Sequence, residues 1–134
     1  MMNFHHIGIA TEEIKDCKAV LESMCDVKQA SGVIFDPEQG AYLCMLELAN
    51  GFKFELVQGK VVEHLVKKGI TCYHLCFCVA DIEAEVKRLT ADNALLIKNP
   101  APAVLFNGRK VAFLQTQIGL IELLEQRDEH RPAE

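Results

Sequence analysis

The feature that most constrains this chain is an internal repeat. Shifting the sequence by 68 residues places His6 on His74, and HIGIATEEI then lies over HLCFCVADI. Further along, FELV lies against IELL, so that Glu55 follows His6 by 49 residues and Glu122 follows His74 by 48. Self-similarity at a fixed spacing is typical of one structural unit used twice. The two halves are therefore predicted to fold alike.

Apolar periodicity predicts the same order of elements in both halves. Helical spacing occurs in TEEIKDCKAVLESMC, with Thr11 as its N-cap, and in ADIEAEVKRLTADNA, with Asp81 as its N-cap. A third, short helix is predicted in VVEHLVKKG, where Gly69 ends it. Each half then consists of a strand, a helix and three further strands. Alternation predicts strands at 4–10, 27–35, 41–48, 52–57, 72–79, 94–98, 109–114 and 119–125.

Length and composition bound the class of protein. With 134 residues, 50% of them hydrophobic, the chain has the size of one domain, because domains commonly contain about 100–150 residues. Its 14 basic and 19 acidic side chains form no basic stripe, which argues against nucleic acid as a partner. No apolar run approaches the roughly 20 residues that cross a bilayer, and no cleavable N-terminal signal is visible. We therefore expect a soluble, cytoplasmic protein.

The six cysteines lie mostly inside apolar segments rather than in paired loop positions. Reduced core thiols are the simplest expectation for such an arrangement. Cys76 and Cys78 alternate to one face of a predicted strand, without the C-x-x-C spacing of a zinc site.

Two histidines and two glutamates are the candidate metal ligands. If the first and last strands of each half lie side by side, one histidine approaches one glutamate in each half. Two such halves closing around a pseudo-two-fold axis would bring His6, Glu55, His74 and Glu122 into one cleft. Imidazole nitrogens and carboxylate oxygens suit Zn, Ni, Co, Mn or Fe. His5 alternates to the opposite face of the strand, so we expect it to pack elsewhere.

The segments HHIGIA, YHLCFCVADI and GLIELLE resemble the vicinal oxygen chelate superfamily of glyoxalases, bleomycin resistance proteins and dioxygenases. PEQG and GRKVAFL make methylmalonyl-CoA epimerase the nearest likeness. The resemblance implies an α+β fold: one glyoxalase-like domain over 1–134, whose two βαβββ modules form a curved, mostly antiparallel sheet around a metal cleft. The modules are expected at 1–58 and 70–125. The polar segment 126–134 is expected to be a disordered tail.

The resemblance also implies roles for the repeated residues. His6, Glu55, His74 and Glu122 match the positions that bind one divalent ion in the family, and together they are similar to the two-His, two-Glu set of glyoxalase I. Zn, Ni, Co and Mn are the expected ions. Glu122 is the candidate catalytic base, and Glu55 is the candidate group that returns the proton on the other face of the substrate.

Three further positions bear on substrate binding. Some epimerases carry a second catalytic carboxylate three residues past the glycine of PEQG, where this chain has Leu43. Leucine cannot take a proton, so this departure weakens an assignment as a methylmalonyl-CoA epimerase. Asn107 and Arg109 belong to a predicted turn. Arg109 is the candidate for holding an anionic substrate group.

Three functions fit these features. The first is a metal-dependent isomerase, epimerase or lyase that stabilises the enolate of a small carbonyl or acyl-thioester substrate. The second is an Fe(II) extradiol-type dioxygenase, because His, His and Glu also form the facial triad of oxygenases. The third is a non-enzymatic ligand-binding or drug-sequestering protein of the same fold. A homodimer is expected in each case, since the strands leave edges to be covered.

Overall fold

A computed structural model describes residues 2–126, and the structural statements that follow concern those residues. They divide into two compact units. The N-terminal unit comprises residues 6–73, and the C-terminal unit comprises residues 74–126 with residues 2–5. The predicted tail lies outside the described residues, apart from Gln126.

In each half one strand and one helix precede a run of consecutive strands, which is an α+β arrangement, and the predicted fold class is confirmed. The strands are β1 Asn3–Ala10, β2 Val27–Ala30, β3 Ile34–Asp36, β4 Ala41–Leu48, β5 Lys53–Gly59, β6 Cys72–Val79, β7 Leu95–Pro102, β8 Lys110–Thr116 and β9 Gly119–Glu125. The helices are α1 Ile14–Met24, α2 Glu63–Lys67 and α3 Ile82–Ala91, with single 3-10 turns at Lys60–Val62 and Val104–Phe106. None of these helices has the length and apolar character needed to cross a membrane.

The N-terminal unit has the strand order β2-β4-β5-β1, and β3 also pairs with β4. β1 and β5 run parallel, whereas β4 is antiparallel to both β2 and β5. The parallel pair is possible because α1 and three strands provide a long crossover between β1 and β5. One face of this sheet packs against α1 around a buried cluster of Ile9, Ile14, Cys44, Leu46 and Leu56.

The C-terminal unit repeats this plan with the strand order β6-β9-β8-β7. β6 and β9 are parallel, and the other neighbours are antiparallel. One face packs against α3 through a buried cluster of Val79, Ile82, Ala112, Leu114, Ile121 and Leu123. In both units, therefore, a single helix covers one face of the sheet, and the histidine and glutamate strands are neighbours.

The predicted strand 27–35 is wrong as one continuous element. Ala30 pairs with Leu46 and Ile34 pairs with Leu43, so one strand advances by four residues while its partner advances by three. The extra residue interrupts the ladder, as in a β-bulge. Ser31 lies at the break, where its backbone N–H donates to the Met45 carbonyl at 2.8 Å.

The predicted N-cap of α1 is also wrong. The helix begins at Ile14, and Glu13 occupies the N-cap position without a side-chain hydrogen bond. Thr11 lies two residues earlier, and its Oγ1 accepts a bond from the Glu13 N–H at 3.3 Å. The Ile14 N–H instead donates to Oε1 of Gln58 on β5, at 2.8 Å. In α3 the prediction is confirmed, because Asp81 Oδ1 accepts from the Ala84 N–H at 3.0 Å.

β7 extends well beyond its predicted end at residue 98 and reaches Pro102. Two prolines lie in this extension, and proline removes a ladder donor, which normally ends a strand. β7 tolerates them because, within residues 2–126, it pairs with β8 on one side only. Prolines are confined to such edge strands and to irregular pairings, and the β7–β8 register does shift between Leu96 and Ala101.

Candidate functional site

The N-terminal unit brings His6 and Glu55 together. Gly8 on β1 lies opposite Glu55 on β5, and His6, two residues earlier, shares its face because side chains alternate along a strand. This face is the one turned away from the α1 cluster, which contains Ile9 and Leu56. His6 Nε2 lies 3.3 Å from Glu55 Oε1, and the two side chains are 0% and 5% exposed.

The C-terminal unit brings His74 and Glu122 together in the same way. Cys76 on β6 lies opposite Glu122 on β9, and His74, two residues earlier, shares that face. His74 Nε2 lies 3.1 Å from Glu122 Oε1, with side-chain exposures of 1% and 4%. Burying a carboxylate is costly unless it has a charged or hydrogen-bonding partner, so each glutamate is held where its imidazole can interact with it.

Either pair offers two ligand atoms of the kind that a divalent transition metal takes. Zn–N and Zn–O bonds of about 2.0–2.2 Å imply adjacent ligand atoms about 2.8–3.6 Å apart in octahedral or tetrahedral geometry. The observed separations of 3.3 and 3.1 Å fall within that span. The residues of each pair thus fit a divalent ion bound through both Nε2 and a carboxylate oxygen.

Apolar side chains from β4 lie beside Glu55 on its own sheet face. Met45 on β4 lies directly opposite Glu55, and Leu43 lies opposite Val57. Leu43 is buried, with 2% exposure. The position where some epimerases carry a carboxylate is therefore an apolar wall in this chain. Whether Leu43 contacts substrate stays a prediction.

A second carboxylate on the same face, Glu47, is engaged elsewhere. Glu47 lies opposite Lys53, two pairs further along the β4–β5 ladder than the pair of Met45 and Glu55. Diagonal neighbours of this kind are about 7–8 Å apart. The Glu47 carboxylate lies 3.7 Å from Lys28 Nζ at the edge of the unit. Glu47 is thus an ion-pair residue of the sheet edge rather than part of the His6–Glu55 pair.

Phe113 was missed by sequence reasoning, although it contacts one of the predicted ligands. It lies on β8 directly opposite Glu122. Its ring is 5.7 Å from the His74 ring, centroid to centroid, at an interplanar angle of 87°. A two-residue hairpin between Thr116 and Gly119 sets the β8–β9 register. Counting back from that hairpin would have placed Phe113 opposite Glu122.

Arg109 and Asn107 have structural roles in the C-terminal unit. Arg109 is buried, its Nε donates to the Glu125 carbonyl at 2.8 Å, and an Nη lies 3.7 Å from Cys78 Sγ. Asn107 closes the second 3-10 turn with φ +54° and is exposed. The left-handed conformation is one that asparagine tolerates better than most residues. Binding of an anionic substrate group by either residue stays a prediction.

A cavity of about 420 Å³ lies in the N-terminal unit, on the α1 side of the sheet. Its lining includes Cys44 and Gln58 of the sheet and Lys15 and Lys18 of α1. Cys44 belongs to the cluster under α1, so this cavity opens on the opposite sheet face from Glu55. It contributes nothing to the His6–Glu55 pair.

Comparison with known proteins places this arrangement in a family. The chain is similar to the uncharacterized protein YqjC of Bacillus subtilis (strain 168), with 27% identity over the full length of both chains. Its fold is similar to that of the hypothetical protein BH1468 from Bacillus halodurans C-125, with 24% identity, a TM-score of 0.76, and coverage of 98% of this chain and 99% of that one.

A methylmalonyl-CoA epimerase from Mycobacterium tuberculosis has the same fold, with 18% identity, a TM-score of 0.79, and coverage of 95% of this chain and 89% of that one. At such identities the likeness concerns the fold alone. The sequence profile of one superfamily matches residues 5–113, which is most of the chain. This protein therefore belongs to the Glyoxalase/Bleomycin resistance protein/Dioxygenase superfamily.

Proposed function

We propose that His6, Glu55, His74 and Glu122 together bind one divalent metal ion. The observation that carries this proposal is the duplication of a buried imidazole–carboxylate pair at equivalent positions of the two units. The repetition supplies four nitrogen and oxygen ligands, which is the number that a zinc ion commonly takes. Two imidazoles and two carboxylates suit Zn, Ni, Co or Mn.

We further propose that the protein is an isomerase, epimerase or lyase acting beside the carbonyl of a small carbonyl compound or acyl thioester. Membership of a superfamily that includes enzymes, and a fold shared with a methylmalonyl-CoA epimerase, support this class. The ion, when bound, supplies Lewis-acid polarisation of the substrate carbonyl, which acidifies the adjacent C–H bond. The protein's own side chains then have to move the proton.

Glu122 is the proposed base, and its carboxylate oxygen takes the proton from the carbon next to the carbonyl. Glu55, from the other unit, is proposed to take up a proton from solvent and deliver it to the opposite face of the same carbon, which leaves Glu122 protonated and Glu55 as the carboxylate. A positioned carboxylate contributes about 10²–10⁴-fold to such a transfer. Without the ion, His6 and His74 contact the carboxylates at 3.3 and 3.1 Å, and with the ion the same Nε2 atoms would bind it.

The choice of Glu55 as the second group follows from its neighbours. Inversion at a carbon needs a proton carrier on each face of the substrate. On the β4–β5 face, Leu43 and Met45 carry no proton, and Glu47 is paired with Lys28. Glu55 is the carboxylate of that face that lies beside a histidine.

Metal content tests the first part of the proposal. Mass spectrometry of untagged protein should find about one divalent ion per chain, and His6→Ala and His74→Ala should each lose it. His64 is exposed on α2, so His64→Ala is the matched control and should retain the ion. Absence of binding after incubation with Zn, Ni, Co and Mn would contradict the proposal. Stabilisation by apolar ligands alone would then favour the ligand-binding alternative.

Solvent exchange tests the reaction class. NMR in D₂O should show the metal-loaded protein exchanging the proton next to the carbonyl of methylmalonyl-CoA or of a smaller α-substituted thioester. His74→Ala should lack this activity, and His64→Ala should keep it. Oxygen uptake with a catechol after anaerobic loading with Fe(II), without any proton exchange, would instead support the dioxygenase alternative.

We also propose a homodimer with small molecules as its other partners. Exposed apolar side chains on the edge strand β7, namely Leu95 and Ile97, would be covered by a second copy. Light scattering after gel filtration should give twice the chain mass, and a monomer at micromolar concentration would contradict this. The cytoplasmic location expected from the sequence stays a prediction.

A further inference from the structure

Three adjacent strands of the C-terminal unit present side chains that meet on one face. His74 is on β6, Glu122 on β9 and Phe113 on β8, and these strands are consecutive in the sheet order. Phe113 is the cross-strand partner of Glu122. Its ring meets the His74 imidazole edge to face, at 5.7 Å and 87°. The imidazole is therefore in contact with Phe113 while its Nε2 lies 3.1 Å from Glu122 Oε1.

We propose that Phe113 is a positioning residue that fixes the imidazole of His74 in the orientation required to bind metal beside Glu122. This inference rests on the proposed function and deepens it. The outer torsion of histidine is broad, so a ring without a neighbour can turn and bring the Cε1 carbon to the place of Nε2. Edge-to-face aromatic contacts favour a particular geometry. The Phe113 ring thus restricts that torsion before any ion arrives.

Because the Phe113 ring contacts the His74 ring, its loss should weaken metal binding. Metal-bound histidines are usually oriented by an outer partner, and removing such a partner commonly weakens metal binding about 10–100-fold. The contact from Phe113 is an aromatic one, and its restraint is weaker than that of a charged hydrogen bond. From the typical strength of aromatic pairs we expect metal binding to weaken between about twofold and twelvefold when the ring is lost.

The N-terminal unit indicates which residue should replace Phe113 in a test. Met45 occupies the position opposite Glu55 that Phe113 occupies opposite Glu122. Methionine is flexible and adapts to its surroundings, and it lacks a ring face or edge that would select one imidazole orientation. Phe113→Met therefore keeps an apolar side chain of similar size and removes only the aromatic restraint.

The matched control lies on the opposite face of the same unit. Phe77, like Phe113, is half-buried and touches another ring, that of Phe4, at 5.7 Å. It packs with the α3 cluster. Phe77→Met should therefore lose about as much packing energy as Phe113→Met while leaving the surroundings of His74 unchanged. Urea unfolding of both variants identifies any general loss of stability.

Two measurements test the inference. Co(II) titration should show Phe113→Met binding about two- to twelvefold more weakly than wild type, with Phe77→Met unchanged. NMR of metal-free protein labelled in histidine should show shifted His74 ring resonances, with increased exchange between orientations, in Phe113→Met alone. Wild-type affinity together with unchanged His74 resonances in Phe113→Met would overturn the inference.

Failure of the proposed function is separable from failure of this inference. If wild type binds no Co(II), the metal proposal fails, and the metal-free NMR comparison then decides alone whether Phe113 fixes the ring. A changed His74 signal in Phe113→Met would support the positioning role, and an unchanged one would refute it.

Discussion

The two units build the same pair of side chains with different supports. In each, a histidine on the first strand and a glutamate on the parallel last strand lie 3.1–3.3 Å apart. The cross-strand neighbour of the glutamate is Met45 in one unit and Phe113 in the other. The covering helix is capped by a distant side chain in one unit and by a local one in the other. Strand register, rather than the identity of neighbouring side chains, is therefore what sets the pair.

The largest expected difference between the units is catalytic. Glu122→Gln should lower α-proton exchange with solvent by at least about 100-fold, because it removes the proposed base. Glu55→Gln should leave exchange from one enantiomer and lose its conversion into the other, since only the second proton delivery is affected. NMR in D₂O together with chiral analysis of the product measures both.

Glu47→Gln is the control for that comparison, because Glu47 shares a sheet face with Glu55 but pairs with Lys28. It should keep both exchange and inversion. If Glu122→Gln exchanged its substrate proton at the wild-type rate, the division of roles between the units would be refuted.

The next largest effect concerns the two cores. Leu46 under α1 and Leu123 under α3 are both fully buried. Replacing either by alanine should lower the free energy of unfolding by about 2–5 kcal/mol, through lost burial and the cavity left behind. Urea denaturation measures this loss. Ile118, which is 72% exposed, is the control, and Ile118→Ala should change stability by no more than about 0.5 kcal/mol. A large inequality between the two leucines would show that the units are not equally packed.

Helix capping should give a smaller effect of similar size in both units. Asp81→Ala removes the bond from the Ala84 N–H, and Gln58→Ala removes the bond from the Ile14 N–H. Each should cost about 1 kcal/mol of unfolding free energy, as the loss of a cap does. Glu13→Ala should cost little, because that N-cap side chain makes no capping bond. A neutral Gln58→Ala would show that the distant contact does not act as a cap.

Repetition made the fold and the two histidine–glutamate pairs accessible from the sequence. Alternating apolar residues placed the strands, and the 68-residue shift paired His6 with His74. Local sequence signals predicted correctly those contacts that join residues close in sequence, as with Asp81, whose side chain caps its own helix. Each of these features is encoded within a few residues or repeated along the chain.

The features that were missed depend on contacts between distant segments. The cap of α1 comes from Gln58, which lies 44 residues from Ile14. No pattern within a few residues of the helix start predicts this contact. The break at Ser31 arises from one extra residue relative to β4, which an alternating pattern cannot reveal. Phe113 was accessible only through the hairpin register, since its own segment is an ordinary strand pattern.

The smallest expected difference concerns the reaction rates of two thiols in the N-terminal unit, those of Cys17 and Cys72. Burial raises the pKa of the Cys17 thiol, which packs against the α1 cluster, while Cys72 is exposed. Only the thiolate attacks an alkylating reagent. Because a raised pKa lowers the thiolate fraction at any given pH, Cys17 should react with iodoacetamide several-fold more slowly than Cys72 at pH 8. Its rate should continue to rise with pH beyond the point where an ordinary thiol levels off.

Peptide mass spectrometry over a series of times and pH values measures both rates in the same sample. Urea provides the control, because unfolding should bring the Cys17 rate up to that of Cys72. Equal rates in the folded protein would mean that α1 opens readily from its sheet. The contact between Gln58 and Ile14 would then hold the start of α1 without protecting its packed face, and Gln58→Ala should leave the Cys17 rate unchanged. Slow reaction that Gln58→Ala accelerates would instead tie the protection of this core to that one long-range bond.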